Sequence, residues 1–386
     1  MPPAKRVFVH VGVPKSGTSF IQATLRDNRA RLREAGILYP SRTRGDMFRA
    51  ALDANGHARY WGFSDEQVAG AWEEICARVR RFAGTSVISS EFLCTAPAER
   101  ITEALRHLEG IEVHVVVTAR DLARQLPAEW QEGIKHGRSV RYASFRERIL
   151  DPERRHPHAR RFWNAQDVPD VLARWGAALP PERVHLVTCP PPGAPPNLLW
   201  ERFSSLFDLP PGTAELPGQL ANTSLGVTQI EVLRHVNRSV SHRDDPRAHG
   251  RLVKRTLVRD VLRKQQSPRA TAAPEDLPAL QSIAKQWRQE IETRGYHVVG
   301  SLTDLEPVEP PGSMVDPDRV RPREALRAST VAIGDLLWEI DRLRAENARL
   351  RLQPAAERPI PLRARLGRLR RAALRRARRA VTVRGR

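Results

Sequence analysis

Short β-branched runs alternate with longer helical patterns through the first half of the chain, from residue 5 to about residue 210. Strands separated by helices are typical of strand–helix–strand units, in which neighbouring strands lie parallel. The pattern predicts an α/β fold with a parallel sheet flanked by helices. The predicted strands are Arg6–Val11, Ser86–Ser90, Glu112–Thr118 and Arg183–Thr188.

Helical periodicity appears directly after the first predicted strand and again in the second half of the chain. Residues 19–34 place Ile21, Leu25 and Leu32 on one stripe, and Gly36 follows as a stop signal. This spacing predicts one helix over 19–34. Residues 211 to about 305 are predicted to be largely helical, with helices at Val227–Asn237, Arg247–Lys264 and Leu277–Arg294.

Changes in composition divide the chain into four predicted segments. A globular domain is expected over residues 5–306, with a phosphate-binding strand–loop–helix at its start, and a Pro-rich linker over 307–322. A short coiled coil or amphipathic helix is expected over 323–353. An Arg-rich tail, 354–386, ends the sequence.

A heptad pattern marks the segment that follows the linker. Apolar residues and one Asn recur there at alternating spacings of three and four, which is the spacing of a coiled-coil seam. The Asn falls on an a-type position, where a buried Asn often fixes register and favours two strands. The pattern favours a homodimer through residues 333–350, and the alternative is a single helix packed on the globular domain. The seam residues are Ile333, Leu336, Ile340, Leu343, Asn347 and Leu350.

Basic residues are concentrated at the end of the chain. The 386 residues contain 64 Lys and Arg against 44 Asp and Glu, a formal net charge of +20. Residues 354–386 hold 12 Arg and one Glu, so this segment alone carries +11. A basic segment with a thin apolar stripe is typical of helices that bind anionic surfaces. We therefore expect residues 358–386 to bind an anionic membrane surface or a polyanion.

Other classes of protein are disfavoured by the same sequence. No apolar run approaches the roughly 18 residues of a spanning helix, and Met1–Arg6 leads directly into the first strand without a signal-peptide pattern. Cys76, Cys94 and Cys189 form no CxxC pair, so neither a disulfide framework nor a zinc site is expected. These features predict a cytoplasmic protein, with the tail allowing peripheral attachment at the inner face of the membrane.

A phosphate-binding loop is the sharpest chemical signal. The first predicted strand enters a Gly/Ser/Thr-rich loop and leaves it as a helix, a geometry that points backbone N–H groups at one anion. Gly12 and Gly17 have the interval of a Walker A loop, but Thr18 stands where its Lys belongs, and Lys15 lies inside the loop. This departure disfavours a P-loop small-molecule kinase, which remains an alternative.

The run Pro-Lys-Ser-Gly-Thr-Ser-Phe after an N-terminal strand resembles the phosphosulfate-binding loop of sulfotransferases that use 3′-phosphoadenylyl sulfate (PAPS). The resemblance is to bacterial members of the P-loop-like sulfotransferase superfamily. It implies that Lys15 neutralises the leaving phosphate and the sulfuryl oxygens, and that Ser16, Gly17, Thr18 and Ser19 cradle the phosphate. It also implies PAPS as the donor and no metal.

The resemblance implies a second phosphate site after another strand. Arg120, which follows the predicted strand at 112–118, matches the family residue that binds the 3′-phosphate. The family's Ser eight positions later is replaced by Ala128. Either Gln125 or Thr118 supplies the missing contact, or arginine alone holds this phosphate.

The family's catalytic base lies at the end of the strand nearest the loop, and Glu91 falls on that position. A carboxylate within hydrogen-bond reach can take the proton of an acceptor hydroxyl as the new S–O bond forms. The implied function is sulfuryl transfer from PAPS to a hydroxyl or amine of a carbohydrate, lipid or small metabolite. A non-catalytic nucleotide-fold module with a coiled coil and a membrane- or polyanion-binding tail is the other alternative.

The resemblance covers residues 5 to about 306 and leaves 323–386 unexplained. Specific motifs lie only at 12–20, 87–91 and 115–121. Asn222–Gly226 and Tyr296–Leu302 are weaker similarities that bear on the extent of the domain.

Overall fold

In the computed structural model, the chain is described over residues 5–43, 45–217, 225–240, 249–309 and 315–352. Two compact units separate after Ser329, and the second begins at Thr330. The Arg-rich tail, 354–386, and most of the Asn222–Gly226 similarity lie outside the described residues.

The first unit is built around a six-stranded sheet in which every neighbouring pair is parallel, in the order β2-β3-β1-β4-β5-β6. Helices flank this sheet, so the predicted α/β class is confirmed. The strands are β1 Arg6–Gly12, β2 Ile37–Leu38, β3 Thr85–Ser89, β4 Glu112–Ala119, β5 Val184–Thr188 and β6 His297–Val299.

The α-helices of the described residues are numbered in chain order. In the region of β1–β3 they are α1 Thr18–Asp27, α2 Arg29–Glu34, α3 Asp46–Asn55, α4 Asp65–Val68 and α5 Ala71–Arg80. Around β4 and β5 they are α6 Ala98–Arg106, α7 Leu122–Lys135, α8 Tyr142–Leu150, α9 Pro157–Gln166, α10 Val168–Gly176 and α11 Leu198–Ser204. The remaining helices are α12 Val227–Val240, α13 Leu277–Arg294 and α14 Pro322–Leu352, with a π-helix at Gly250–Val261 and a 3-10 turn at Leu262–Lys264.

The central strands are buried on both faces, as expected where helices cover a parallel sheet. All five residues of β3 and of β5 are buried, and only the first residue of β1 is partly exposed. Both faces of these strands therefore carry buried residues, and polar members such as His10 and Ser89 are buried as well.

The predicted helix over 19–34 is two helices that meet at Asn28. The Asn28 side chain donates to the carbonyl oxygen of Thr24 at 2.9 Å and to that of Glu215 at 2.8 Å. Glu215 is remote in sequence, so this break depends on a tertiary contact.

Strand order places β1 at the point where the chain changes direction across the sheet. From β1 the chain runs toward β2 and β3 on one side, whereas from β4 it runs toward β5 on the other. Ligands of open parallel sheets bind outside the carboxyl ends of strands at such a switch point. The segments that follow β1 and β4 therefore flank the crevice of the sheet.

Within the described residues, no helix combines the length and the apolar character needed to cross a membrane.

Candidate functional site

The loop Val13–Gly17 joins β1 to α1 and is tied to the neighbouring strand. The Val13 N–H donates to the carbonyl oxygen of Thr118 at 2.8 Å. Gly17 has φ +81°, and a Cβ at this position would lie 2.3 Å from a methyl carbon of Leu199. The left-handed backbone favours glycine here, and a Cβ would require the Leu199 side chain to move.

The start of α1 presents free donors to the crevice. Within the part of the chain that the structure describes, the backbone N–H groups of Gly17, Thr18 and Ser19 have no acceptor. Thr18 is buried and Ser19 is exposed. N–H groups at a helix start carry partial positive charge and bind anions.

A buried network of hydrogen bonds holds the loop against β1 and β4. The Ser16 hydroxyl donates to the carbonyl oxygen of Val13 at 2.5 Å and shares a 2.5 Å hydrogen bond with the Thr118 hydroxyl. His10 contacts Thr118 Oγ1 through Nε2 at 3.1 Å, and burial lowers the pKa of His10 to about 3. The side chains of Ser16 and Thr118 are thus committed to holding the loop in shape.

Gln125 connects Arg120 to the loop Val13–Gly17. Arg120 Nε donates to Gln125 Oε1 at 2.7 Å, and Arg120 Nη2 donates to the carbonyl oxygen of Arg124 at 2.9 Å. Gln125 Nε2 in turn donates to the carbonyl oxygen of Pro14 at 2.5 Å. Burial lowers the pKa of Arg120. The two predicted phosphate sites are therefore adjacent in the fold.

Lys15 points toward α7, where it meets a carboxylate with several cationic partners. Its Nζ lies 2.6 Å from Glu132 Oε2, and Glu132 also pairs with Lys135 at 3.6 Å and Lys254 at 3.4 Å. His136 Nε2 lies 3.0 Å from Glu132 Oε1. Three of the six lysines of the chain thus converge on one carboxylate beside the loop.

The convergence has electrostatic consequences. Burial alone would raise the pKa of Glu132, but the hydrogen bond from His136 and the nearby lysines hold it well below its usual range. Burial lowers the pKa of Lys135 to about 8, although Glu132 opposes the shift. Cations outnumber carboxylates here, so this side of the crevice favours an anion.

Glu91 follows β3 on the other flank of the loop. The Ser90 N–H donates to the carbonyl oxygen of His10 at 3.0 Å, and a Cβ on Gly12 would lie 3.3 Å from Glu91 Cα. Gln22 of α1 donates to Glu91 Oε2 at 2.6 Å. Glu91 and Lys15 therefore lie on opposite flanks of the same loop.

A pocket of about 80 Å³ opens beside the Glu91 carboxylate. Polar side chains and aromatic rings share its wall, which suits a hydroxyl-bearing group. Its lining includes Gln22, Arg26, Tyr39, Ser41, Phe48 and Phe92.

Half-buried aromatic rings connect the two flanks. The Phe92 ring lies 5.0 Å from that of Trp61 and 4.9 Å from that of Phe48, measured between centroids. Trp61 lies 5.7 Å from His136, which bonds Glu132. An aromatic wall of Phe48, Trp61 and Phe92 therefore runs from the Glu91 side of the loop toward His136 and Glu132.

The residues that surround Lys15 are not among the site residues predicted from the sequence. Glu132, Lys135 and His136 follow Arg120 in the sequence with the i, i+3, i+4 spacing of one helix face. That spacing could have indicated a charged cluster near the site. Lys254 and Trp61 carry no such signal, because they reach the site only through the packing of distant segments.

Comparison of the chain with models of protein families, with curated proteins and with solved structures finds no match. The described residues contain no cluster of three or more His, Cys, Asp or Glu suited to hold a metal ion.

Proposed function

We propose that the protein is a sulfotransferase that moves a sulfuryl group from PAPS to an acceptor hydroxyl or amine. The carrying observation is the meeting of the loop, Lys15 and Arg120 at the switch point of a parallel sheet. Lys15 lies within the loop, and Arg120, about 100 positions later in the sequence, is joined to the loop through Gln125.

The donor would lie across the crevice with its two anionic ends on different groups. The free N–H groups of Gly17–Ser19 and the Lys15 ammonium suit the phosphosulfate, because they offer donors and charge at one point. Arg120, oriented by Gln125, suits the 3′-phosphate. Gln125 bonds Arg120 and the Pro14 carbonyl, so it would position the arginine, and arginine would be the main contact to this phosphate.

Glu91 would act as the general base. The acceptor O–H proton passes to the Glu91 carboxylate while the acceptor oxygen bonds to sulfur. The bond between sulfur and the bridging oxygen breaks, and 3′,5′-diphosphoadenosine leaves with that oxygen's charge next to Lys15. The aromatic wall of Phe48, Trp61 and Phe92 would hold an apolar face of the acceptor.

Calorimetry with 3′,5′-diphosphoadenosine tests the donor site directly. We expect binding in EDTA, without Mg²⁺, and weaker binding of adenosine 5′-phosphate, which lacks the 3′-phosphate. Arg120→Gln should raise the dissociation constant of the diphosphate by about 10- to 100-fold, which is the usual effect of losing one charge-assisted hydrogen bond. The dissociation constant of the monophosphate should change little. The difference between the two nucleotides should therefore largely vanish in this variant.

Other results would favour the alternatives. ATP binding that requires Mg²⁺ would indicate a kinase and contradict the proposal. Tight diphosphate binding with no sulfated product across sugars, lipids and phenols would indicate a non-catalytic module. Product mass from that panel also identifies the acceptor class.

The Arg-rich tail is proposed to attach the enzyme to an anionic membrane surface at the inner face of the membrane. Truncation after residue 353 removes 12 Arg and one Glu. Each basic residue near such a surface contributes about 1 kcal/mol, so binding to phosphatidylserine vesicles should become much weaker and less salt-dependent.

Vesicle co-sedimentation at two salt concentrations measures this effect, and sulfuryl transfer should survive the truncation. Unchanged vesicle binding would place the attraction on the globular unit. If the full chain does not bind vesicles, and truncation abolishes heparin binding, the tail's ligand is a polyanion.

A further inference from the structure

Helix α14 exposes a row of large apolar residues in the second unit. Ile333, Ile340 and Leu343 are 58%, 44% and 43% exposed, values that are unusual for branched aliphatic side chains. These residues and Leu336 recur with heptad spacing along the helix. In the described part of the chain, a continuous apolar seam therefore faces solvent from residue 333 to residue 350.

The residue types along the seam select an oligomeric state. The a positions are Ile333, Ile340 and Asn347, and the d positions are leucines at 336, 343 and 350. Ile at a with Leu at d favours two parallel strands, and one Asn at an a position favours the in-register dimer. The Asn347 side chain is exposed, and it donates to the Leu343 carbonyl oxygen of its own helix.

The residues beside the seam select an orientation. The g positions hold Glu339 and Glu346, and the matching e positions five residues later hold Arg344 and Arg351. Parallel helices bring each g residue against the e residue of the partner, which pairs Glu with Arg twice on each side. Antiparallel helices would bring Glu against Glu and Arg against Arg.

We propose that a second copy of this chain covers the seam, forming a parallel, in-register, two-stranded coiled coil over residues 333–350. Within one chain, Glu339 and Glu346 already bond Arg342 at 2.7 and 3.2 Å. In the dimer, the arginine of the partner would add to these contacts.

Sedimentation of the full chain tests the dimer. We expect twice the 43.6 kDa mass of one chain at micromolar concentration. Ile340→Lys places a charge in the seam and should raise the dissociation constant about 100-fold or more. Ala345→Lys adds the same side chain at an outer f position and should leave the dimer intact. A monomeric full chain, or equal effects of the two variants, would overturn the proposal.

Disulfide trapping tests the orientation. The three native cysteines are buried, so Leu350→Cys adds a thiol that only a second chain can meet. Parallel in-register helices place the two copies of residue 350 next to each other, within disulfide distance. We expect a cross-linked dimer from this variant alone. Cross-linking only when Leu350→Cys is mixed with Ile333→Cys chains would show an antiparallel pair and overturn the orientation.

Charge exchange provides a test that does not alter the seam. Glu339→Lys with Glu346→Lys should weaken the dimer about tenfold, because each g–e′ pair becomes repulsive. Adding Arg344→Glu and Arg351→Glu to the same chain should restore it. Failure of the four changes to restore the dimer, with helicity retained by circular dichroism, would contradict the parallel pairing.

Discussion

Lys15→Ala should lower sulfuryl transfer by about 10²- to 10³-fold. This is the usual effect of removing one donor that stabilises charge developing in a transition state. Lys15 has φ 66°, and alanine, which also has a Cβ, occupies that backbone with the same difficulty. The substitution therefore removes the ammonium without a new demand on the loop. Single-turnover rates with PAPS and the acceptor identified by product mass measure the loss.

Lys285→Ala is the matched control for this variant. Lys285 is exposed on α13, and its loss changes the net charge by the same amount. It should leave the rate unchanged. Equal rates for Lys15→Ala and the unsubstituted protein would exclude Lys15 from the chemistry.

Glu91→Gln should lower kcat by about 10²- to 10⁴-fold while diphosphate binding stays the same. Gln keeps the length of the side chain and an oxygen that can accept from Gln22, so the pocket keeps its shape. What the variant loses is the ability to take a proton, and general-base catalysis contributes rate factors of this size. Steady-state kinetics and calorimetry on the same preparation separate the two effects.

Glu99→Gln, at an exposed position of α6, makes the same chemical change away from the crevice. Its kcat should equal that of the unsubstituted protein. A Glu91→Gln enzyme with full kcat would assign the proton to another group, and a parallel loss of diphosphate binding would give Glu91 a structural role.

The sequence predicts those strands that lie in the middle of the sheet. β1, β3, β4 and β5 lie within one residue of their predicted bounds, because burial on both faces favours short segments rich in apolar and β-branched residues. The edge strands β2 and β6 have two and three residues, too few for any periodicity. Their pairing depends on neighbours that only the folded chain supplies.

The residues of the candidate site also differ in how far local sequence predicts them. Local chemistry predicts the loop around Lys15 and the positions of Arg120 and Glu91, since each directly follows a strand. The sequence leaves Gln125, Thr118 and arginine as alternatives for the second predicted phosphate contact, and in the structure Gln125 bonds Arg120 and the Pro14 carbonyl. The cations around Glu132 come from three segments of the chain, the loop at Lys15, α7 at Lys135 and the π-helix at Lys254, so no spacing rule could join them.

The ion pair between Lys15 and Glu132 disfavours the binding of single anions at Lys15. A chloride ion that reaches Lys15 exchanges one contact for another and gains little. In the proposed donor site, a ligand with two separated anionic groups would also reach Arg120, which bonds Gln125 and the Arg124 carbonyl. If Lys15 moves from Glu132 to the ligand, Lys135 and Lys254 still pair with the Glu132 carboxylate, so no buried charge is left unpaired. Abundant monovalent anions should therefore compete poorly for this crevice, even at concentrations far above that of the nucleotide.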